Sequence, residues 1–271
     1  MATEVVLVNS TGTALDGLIQ LVGGSGAPMG VSIDGAVSAS ATYSIAPNSS
    51  KKIALKGLSA DTESGSVWVV PSGGGASPVP LAIFTYKPGS FTVSEGSVPA
   101  TMGTAFRMYT EIASSPQIVS GVAIANATGV SGTVTLSLAD LDGSLIQTSA
   151  PLTLLPYGRI QGFMEQFLPH LANQTRRGVL RITTNLSNIA VVGLRRHAND
   201  RSPVPDLLLS TVPPTSENSL SSTEDRFFPQ LVNGQGFTTQ MILYSGTSAE
   251  TSQGQLRFVR PDGTPFDLRI Q

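Results

Sequence analysis

Apolar and polar residues alternate in short runs along most of the chain, and this pattern predicts β-strands. Clusters of Gly, Asn, Asp and Pro separate the runs about every 8 to 12 residues, as expected for antiparallel strands joined by short turns. In the middle of the chain, the strands that this pattern predicts cover residues 119–126, 132–139, 152–155, 178–183 and 189–195.

One segment departs from the alternation. Phe163, Met164, Phe167, Leu168 and Leu171 recur at spacings of three and four residues, which is the spacing of one face of a helix. We therefore expect a short helix to cross between two sheets at this point.

The strand pattern is itself repeated along the chain. Residues 5–12 (VVLVNSTG) align with residues 122–129 (VAIANATG), 117 positions later. A third copy begins about 120 positions further on and stops at Gln271 before it is complete. The chain therefore contains about two and a half sequence repeats.

The repeats also share their turn residues. Asp-Gly pairs at 142–143 and 262–263 predict two-residue hairpin turns of type I′, in which both central residues have positive φ. Asn9 and Asn126 each begin an Asn-x-Thr triplet, and their matched positions indicate a role in a turn at the end of a strand.

A sheet that is apolar on one face must bury that face on a second layer. The repeats therefore predict an all-β fold made of antiparallel two-sheet sandwiches. Proline-rich connectors at 203–205 and 213–214 mark a boundary between repeats. We predict a first module over residues 1–93, a second over 94–212 with a lead-in strand, and a linker with a partial third module over 213–271.

Two segments carry a resemblance to a known family, namely residues 120–129 (SGVAIANATG) and 237–244 (FTTQMILY). The chain resembles the tandem immunoglobulin-like β-sandwich modules of large secreted bacterial surface proteins. This resemblance implies tandem immunoglobulin-like sandwiches, an extracellular or cell-surface location and no catalytic site. The chain lacks the Cys pair of antibody domains, and its one tryptophan is Trp68.

Composition narrows the possible partners. Sixteen basic and 18 acidic residues give a net charge of −2, so we predict no nucleic-acid partner. The absence of cysteine excludes disulfides, thiolate nucleophiles and Cys-ligated zinc. The chain shows no signal-peptide pattern and no run of 18 apolar residues, so we expect no membrane insertion. The low charged fraction of 13% favours an excised, mature piece of an exported protein.

The residues suited to catalysis or metal binding are few. Of the two histidines, His170 follows a proline and His197 has Asp200 nearby, but neither accompanies a nucleophile motif. The segment 140–143 resembles the start of a calcium loop, but the remaining ligands do not follow. We therefore predict no enzyme, no cofactor and no metal site.

A group of arginines in the second repeat is a candidate binding patch. Arg181, Arg195, Arg196 and Arg201 would bind an acidic glycan or a carboxylate of a protein partner if the first two face outward on neighbouring strands. The alternative is a solvated sheet face whose charges protect an edge.

The partial third module suggests a second candidate surface. It would leave an unpaired strand edge and a half-covered apolar face, to which Met241, Leu243, Leu256 and Phe258 belong. Either the second module covers this surface, or another copy of the chain does so by strand addition.

These observations lead to two functional hypotheses. The first is a non-catalytic extracellular array of structural or adhesive modules, such as a component of a surface layer, filament or spacer, whose partners are copies of itself. The alternative is a carbohydrate-binding accessory region of a secreted hydrolase, with a glycan as partner. Tyr86, Tyr157 and Tyr244 are the candidate aromatic residues for sugar stacking.

Overall fold

The structure is a computed structural model that describes residues 2–114, 117–172, 174–199, 206–218, 224–232, 234–245 and 251–266. The chain divides into two compact units, Met1–Leu220 and Ser221–Gln271. Within the described residues, the named strand pairs are antiparallel and helix is confined to short segments. The predicted all-β antiparallel fold is confirmed.

The larger unit begins with two facing sheets, here called the first sandwich. Its strands are β1 (Ala2–Asn9), β2 (Leu15–Gly23), β3 (Val31–Ile33), β4 (Ala36–Ser38), β5 (Ser40–Ile45), β6 (Ser49–Lys56), β7 (Gly65–Pro71), β8 (Val79–Tyr86) and β9 (Ser94–Pro99). One sheet has the order β4-β3-β6-β1-β8-β9 and the other has the order β5-β2-β7. A short 3₁₀ turn at Ser72–Gly74 follows β7.

Alternating side chains of the two sheets form the core of the first sandwich. Val5 and Leu7 of β1 are buried in the same apolar cluster as Ile19 and Leu21 of β2. The residue between the last two, Gln20, is exposed. The period of two in the sequence therefore separates a core face from an outer face, and burial of the apolar face stabilises the sandwich.

The larger unit continues with a second pair of layers, here called the second sandwich. Its strands are β10 (Ala105–Ser114), β11 (Gln117–Asn126), β12 (Gly132–Ala139), β13 (Leu145–Thr148), β14 (Leu152–Leu154), β15 (Arg159–Phe163), β16 (Arg176–Thr184), β17 (Ile189–Asn199), β18 (Asp206–Val212) and β19 (Thr215–Ser216). The path of paired strands is β13-β12-β16-β10-β11-β17-β18, with β14 on β12, β15 on β11 and β19 on β10.

The link between β10 and β11 is short. Only residues 112–114 of β10 pair with residues 117–119 of β11. The earlier part of β10 pairs with β16, and the later part of β11 lies between β15 and β17. Met108 of β10 and Ile124 of β11 are both fully buried in one apolar cluster. This separation gives two layers that bury their apolar faces on each other. The first sandwich has the same arrangement. Strand β1, which matches β11 in the sequence repeat, also lies between two neighbouring strands, β6 and β8.

The strand predictions for this region are confirmed, and one strand has the predicted bounds. Residues 132–139 form β12 as expected, whereas β11, β16 and β17 extend beyond their predicted ends. Strand β17 is longer than predicted because Arg196, His197 and Ala198 also pair with residues of β18.

The predicted short helix is also confirmed. Helix α1 (Met164–Phe167) is followed by a 3₁₀ turn at Pro169–Leu171. Met164, Leu168 and Leu171 are buried in the core of the second sandwich, which explains their helical spacing. Pro169 begins a new turn because it cannot donate a backbone hydrogen bond to the preceding helix.

The predicted type I′ turns are wrong. At the first Asp-Gly pair only Gly143 has positive φ, at +89°, and its N–H donates to the carbonyl of Asp140 at 2.9 Å. Asp142 uses its carboxylate to accept bonds from the N–H and the hydroxyl of Ser144, at 2.8 and 2.6 Å. The side chain thus closes the turn locally, and only the glycine takes a left-handed conformation. Gly263, with φ of +82°, repeats this arrangement.

Two buried asparagines hold the chain at the ends of β1 and β11. The Oδ1 of Asn9 accepts from the N–H two residues later at 2.9 Å, and its Nδ2 donates to the carbonyl four residues later at 2.8 Å. Asn126 makes the same two bonds at 2.8 and 2.7 Å. The predicted turn role of both residues is confirmed.

The boundaries of the compact units differ from those of the sequence repeats. Strand β9 begins at Ser94 and pairs with β8 of the first sandwich. Strand β19 pairs with β10, which keeps residues 215–216 in the larger unit. In the smaller unit, the described residues show two isolated bridges, Gly234 with Phe237 and Val259 with Pro265.

Candidate functional site

The two sandwiches meet along a seam in which the guanidinium of Arg159 is central. The backbone N–H of Arg159 donates to the carbonyl of Gly24 at 2.8 Å. Its Nη2 donates to Oγ of Ser64 at 2.7 Å, and its Nη1 donates to the carbonyl of Gly65 at 3.2 Å. Burial lowers the pKa of Arg159 from its ordinary value. The seam is defined here as Gly24, Gly26 and 64–65 of the first sandwich with 156–161 of the second.

A second contact joins the edges of the two sandwiches. The N–H of Leu209 in β18 donates to Oγ of Ser94 in β9 at 3.2 Å. The hydroxyl of Thr211 donates to the carbonyl of Ser97 at 3.0 Å. The β9 edge is therefore covered by the second sandwich, and the two sandwiches are connected at two separate places.

A cleft of about 420 Å³ opens beside the seam. Trp68 lies on the outer face of its sheet, because it pairs with the exposed Gln20 while the flanking residues of β2 point into the core. The ring of Tyr157, from the second sandwich, meets Trp68 edge-on, with centroids 5.1 Å apart and planes at 79°. The cleft is also lined by Pro28, Ser40 and Val70.

The backbone of Tyr157 adopts an uncommon conformation. Its φ is +55°, and its N–H donates to the carbonyl of Thr128 at 3.0 Å. A left-handed conformation is unfavourable for a bulky residue other than glycine. The tyrosine side chain is 43% exposed. The turn thus presents a large aromatic ring to the cleft despite the cost in backbone strain.

A buried carboxylate on the second sandwich binds two arginines. Glu111 accepts from Nε of Arg177 at 3.0 Å and from Nη2 of Arg195 at 2.9 Å. Its carboxylate is almost fully buried, and its backbone N–H donates to Oγ of Ser120 at 2.9 Å. The charge of Glu111 is therefore compensated inside the protein.

A second carboxylate, Glu217, is held in the same way. Its two oxygens accept from Nε and Nη2 of Arg181, at 2.9 and 2.8 Å, and one of them also accepts from Nε of Arg107. Burial alone would raise the pKa of Glu217, but the hydrogen bonds from Arg181 and Arg107 outweigh it and hold the pKa below its ordinary value. Strand β19 places this carboxylate beside β10.

The structure separates the arginines of the predicted anion patch. Arg181 lies on β16 and Arg195 on β17, and β10 and β11 lie between these strands. Each is bound to one of the two carboxylates described above. Arg196 stacks on the ring of Phe163, with its guanidinium carbon 5.9 Å from the ring centroid. Arg201 lies outside the described residues.

The predicted assembly residues belong to the smaller unit. Leu243 is 64% exposed and Leu256 is 47% exposed, whereas Met241 and Phe258 are partly buried. Phe227, in the lead-in of the third repeat, is 88% exposed. Exposed apolar side chains therefore extend beyond the four residues that the sequence pattern identified.

The two histidines lie in separate elements of the second sandwich. His197 pairs with Ile118 and Leu208 in the ladder, and its predicted neighbour Asp200 is outside the described part. His170 lies in the 3₁₀ turn after α1. Within the described ranges, no three His, Cys, Asp or Glu side chains form a group suited to a metal ion.

Sequence reasoning missed the buried carboxylates and the cleft. The signal for Glu111 was its position next to Ile112 and Ala113 in a predominantly apolar stretch, because an acid in a strand that is buried on both faces needs a positive partner. The cleft had no comparable signal, since its two rings are far apart in sequence and meet only when the sandwiches dock.

No protein-family model, no curated protein and no solved structure matches the chain. In the described part of the chain, no helix has the length and apolar character needed to cross a membrane.

Proposed function

We propose that this protein is a non-catalytic structural or adhesive module array of an extracellular surface, built from tandem immunoglobulin-like sandwiches, and that it assembles with copies of itself through its smaller unit. The observation that carries this proposal is the exposure of large apolar side chains among the described residues of the smaller unit.

The exposed residues of the smaller unit are numerous for so short a segment. They include three phenylalanines and three aliphatic residues, namely Phe227, Phe228, Phe237, Leu243, Leu256 and Val259. Full burial of one such side chain contributes about 1.5–3 kcal/mol. Large apolar side chains that are exposed on a protein surface often mark an interaction site when they lie together. A second chain that covers even three of these residues would gain a substantial free energy.

The backbone of the smaller unit also favours strand addition. Its described residues contain two isolated bridges and a turn in which the N–H of Arg260 donates to the carbonyl of Thr264 at 2.8 Å. A short strand edge next to exposed apolar side chains is a template for pairing with another chain. The array would therefore grow through this unit.

The larger unit suits a spacer. Its two sandwiches are fixed by the seam and by the contact between β9 and β18, so they cannot swing freely about a linker. The matched hydrogen bonds of Asn9 and Asn126 and the matched strand neighbours support a tandem repeat of one module. The arginines near Glu111 and Glu217 neutralise the negative charges of these buried carboxylates, which favours a structural role for the arginines.

The proposal is tested by the size of the purified protein as a function of concentration. We expect sedimentation velocity to show oligomers, and negative-stain images to show fibres or sheets. Phe227→Ser should shift the distribution toward monomer, whereas Phe91→Ser, which removes a 64% exposed ring from the larger unit, should not. A monodisperse monomer whose residues 224–266 are protected from hydrogen exchange would refute self-assembly.

A further inference from the structure

Trp68 occupies a position that the core of the first sandwich does not require. It lies on the outer face of β7, opposite Gln20, while its neighbours Val67 and Val69 pack against the apolar cluster. Its ring and that of Tyr157 stand nearly at right angles and form a corner open to solvent. An outward tryptophan in such a corner is a platform on which a flat apolar face can stack.

The tyrosine side of the corner is maintained at a cost. The turn before β6 has Asn48 with φ of +51°, and the turn before β15 has Tyr157 with φ of +55°. Asparagine tolerates this conformation, whereas tyrosine pays a larger strain. Residues held in such conformations cluster at binding sites. The strain thus points to a use for the ring beyond closing the turn.

The remaining lining is neutral. Among the described residues, no Asp, Glu, Lys, Arg or His side chain lines the cleft. Its side-chain hydrogen-bonding groups are the Gln20 amide, the Trp68 indole N–H and the hydroxyls of Ser40 and Tyr157. The nearby guanidinium of Arg159 is already bound to Ser64 and to the backbone. The volume of about 420 Å³ is within the range of small-ligand sites. This lining suits an uncharged ligand that has one apolar face and several hydroxyl groups.

We propose that this cleft binds one neutral pyranose residue of a β-linked glucan. A glucose-type ring with equatorial hydroxyls presents axial C–H bonds to an aromatic face, which the corner formed by Trp68 and Tyr157 supplies. Its hydroxyl groups lie at the rim of the ring, within reach of neutral partners such as Gln20 and Ser40. A proline-rich peptide would need a row of rings along a groove, whereas this cleft has a single aromatic corner. The proposal does not depend on self-assembly.

The single tryptophan makes the test direct, because the tryptophan emission of the chain comes from Trp68 alone. Titration with cellotetraose should give a saturable change in this emission. Added NaCl should leave the affinity unchanged, because no charge lines the site. An acidic oligogalacturonide should bind more weakly. Absence of a saturable change with cellotetraose would overturn the proposal.

The binding site is identified by measuring the affinity of substituted proteins for cellotetraose with titration calorimetry. Gln20→Ala, at an exposed position, should weaken cellotetraose binding about three- to tenfold, the usual effect of one neutral hydrogen bond. Tyr157→Ala should weaken it about tenfold, and Phe91→Ala should not change it. Unchanged affinity in both cleft variants, or displacement of the sugar by a proline-rich peptide, would refute the assignment. Phe227→Ser should retain full binding, which separates this site from assembly.

Discussion

Two glycines allow the seam between the sandwiches to be tested with a matched pair of substitutions. Gly26 and Gly143 both have φ of +89° and close similar turns, in which the glycine N–H donates to the carbonyl three residues earlier at 3.0 and 2.9 Å. Their surroundings differ. A Cβ on Gly26 would lie 2.0 Å from the carbonyl oxygen of Pro156 across the seam, whereas a Cβ on Gly143 would meet nothing within 4 Å.

The two costs follow from this geometry. Alanine in a left-handed conformation costs about 1–2 kcal/mol at either position. At residue 26 the Pro156 carbonyl must also withdraw by about 1.5 Å to reach ordinary contact distance. This movement adds about 1–3 kcal/mol of overpacking and weakens the bond from the Arg159 N–H to the Gly24 carbonyl, worth about 1 kcal/mol. Gly26→Ala should therefore destabilise the protein by about 2–4 kcal/mol more than Gly143→Ala.

Urea unfolding of the full chain measures both values, with linear extrapolation to water. Trp68 lies beside the seam, so its emission in the native state should change in Gly26→Ala and stay the same in Gly143→Ala. Equal destabilisation by the two substitutions, together with unchanged Trp68 emission, would show that the sandwiches do not dock as described.

Three further substitutions probe the buried polar groups. Glu217→Gln should lower the free energy of unfolding at neutral pH by about 2 kcal/mol, because the variant removes the charge that accepts hydrogen bonds from Arg181 and Arg107. The pKa of Glu217 in the folded protein lies below its ordinary value of 4.5. The stability difference between the two proteins should therefore be complete above pH 4.5 and disappear as the pH falls through the pKa of the folded state. Urea unfolding midpoints measured above and below pH 4.5 check this expectation. Asn126→Ala should cost about 3 kcal/mol, because it removes bonds to three neighbouring residues at a fully buried site, and Asn9→Ala should cost a similar amount. A loss below about 1 kcal/mol in urea unfolding of either asparagine variant would contradict the role assigned to these residues.

The strands and the short helix were predictable because each depends on local periodicity. Alternation in residues 132–139 matches the buried and partly buried faces of β12, and the three- and four-residue spacing after Gly162 places Met164 and Leu168 in the core. The turn type was not predictable from the Asp-Gly pair alone. Asp142 closes its turn through its own carboxylate, and the dipeptide is compatible with either turn.

The candidate sites were harder to predict because they depend on contacts between distant segments. The sequence grouped Arg181 with Arg195, but neither partner carboxylate, Glu111 or Glu217, is adjacent to them in the chain. Tyr157 was one of three tyrosines considered for sugar stacking, and only docking of the sandwiches brings it to Trp68. Periodicity identifies the face of a strand, whereas the contact of two outer faces depends on how whole modules pack.

Docking and ligand binding should be linked, because the cleft contains residues from both sandwiches. Gly26 lines the cleft and also contacts Pro156 across the seam. A sugar that binds only the docked form stabilises that form. A change that opens the seam lowers the apparent affinity for the sugar in proportion to the fraction of molecules that stay docked. Gly26→Ala should therefore reduce the affinity for cellotetraose, while Gly143→Ala should leave it unchanged. If both variants bind the sugar as the unsubstituted protein does, the ligand occupies a surface that the seam does not control.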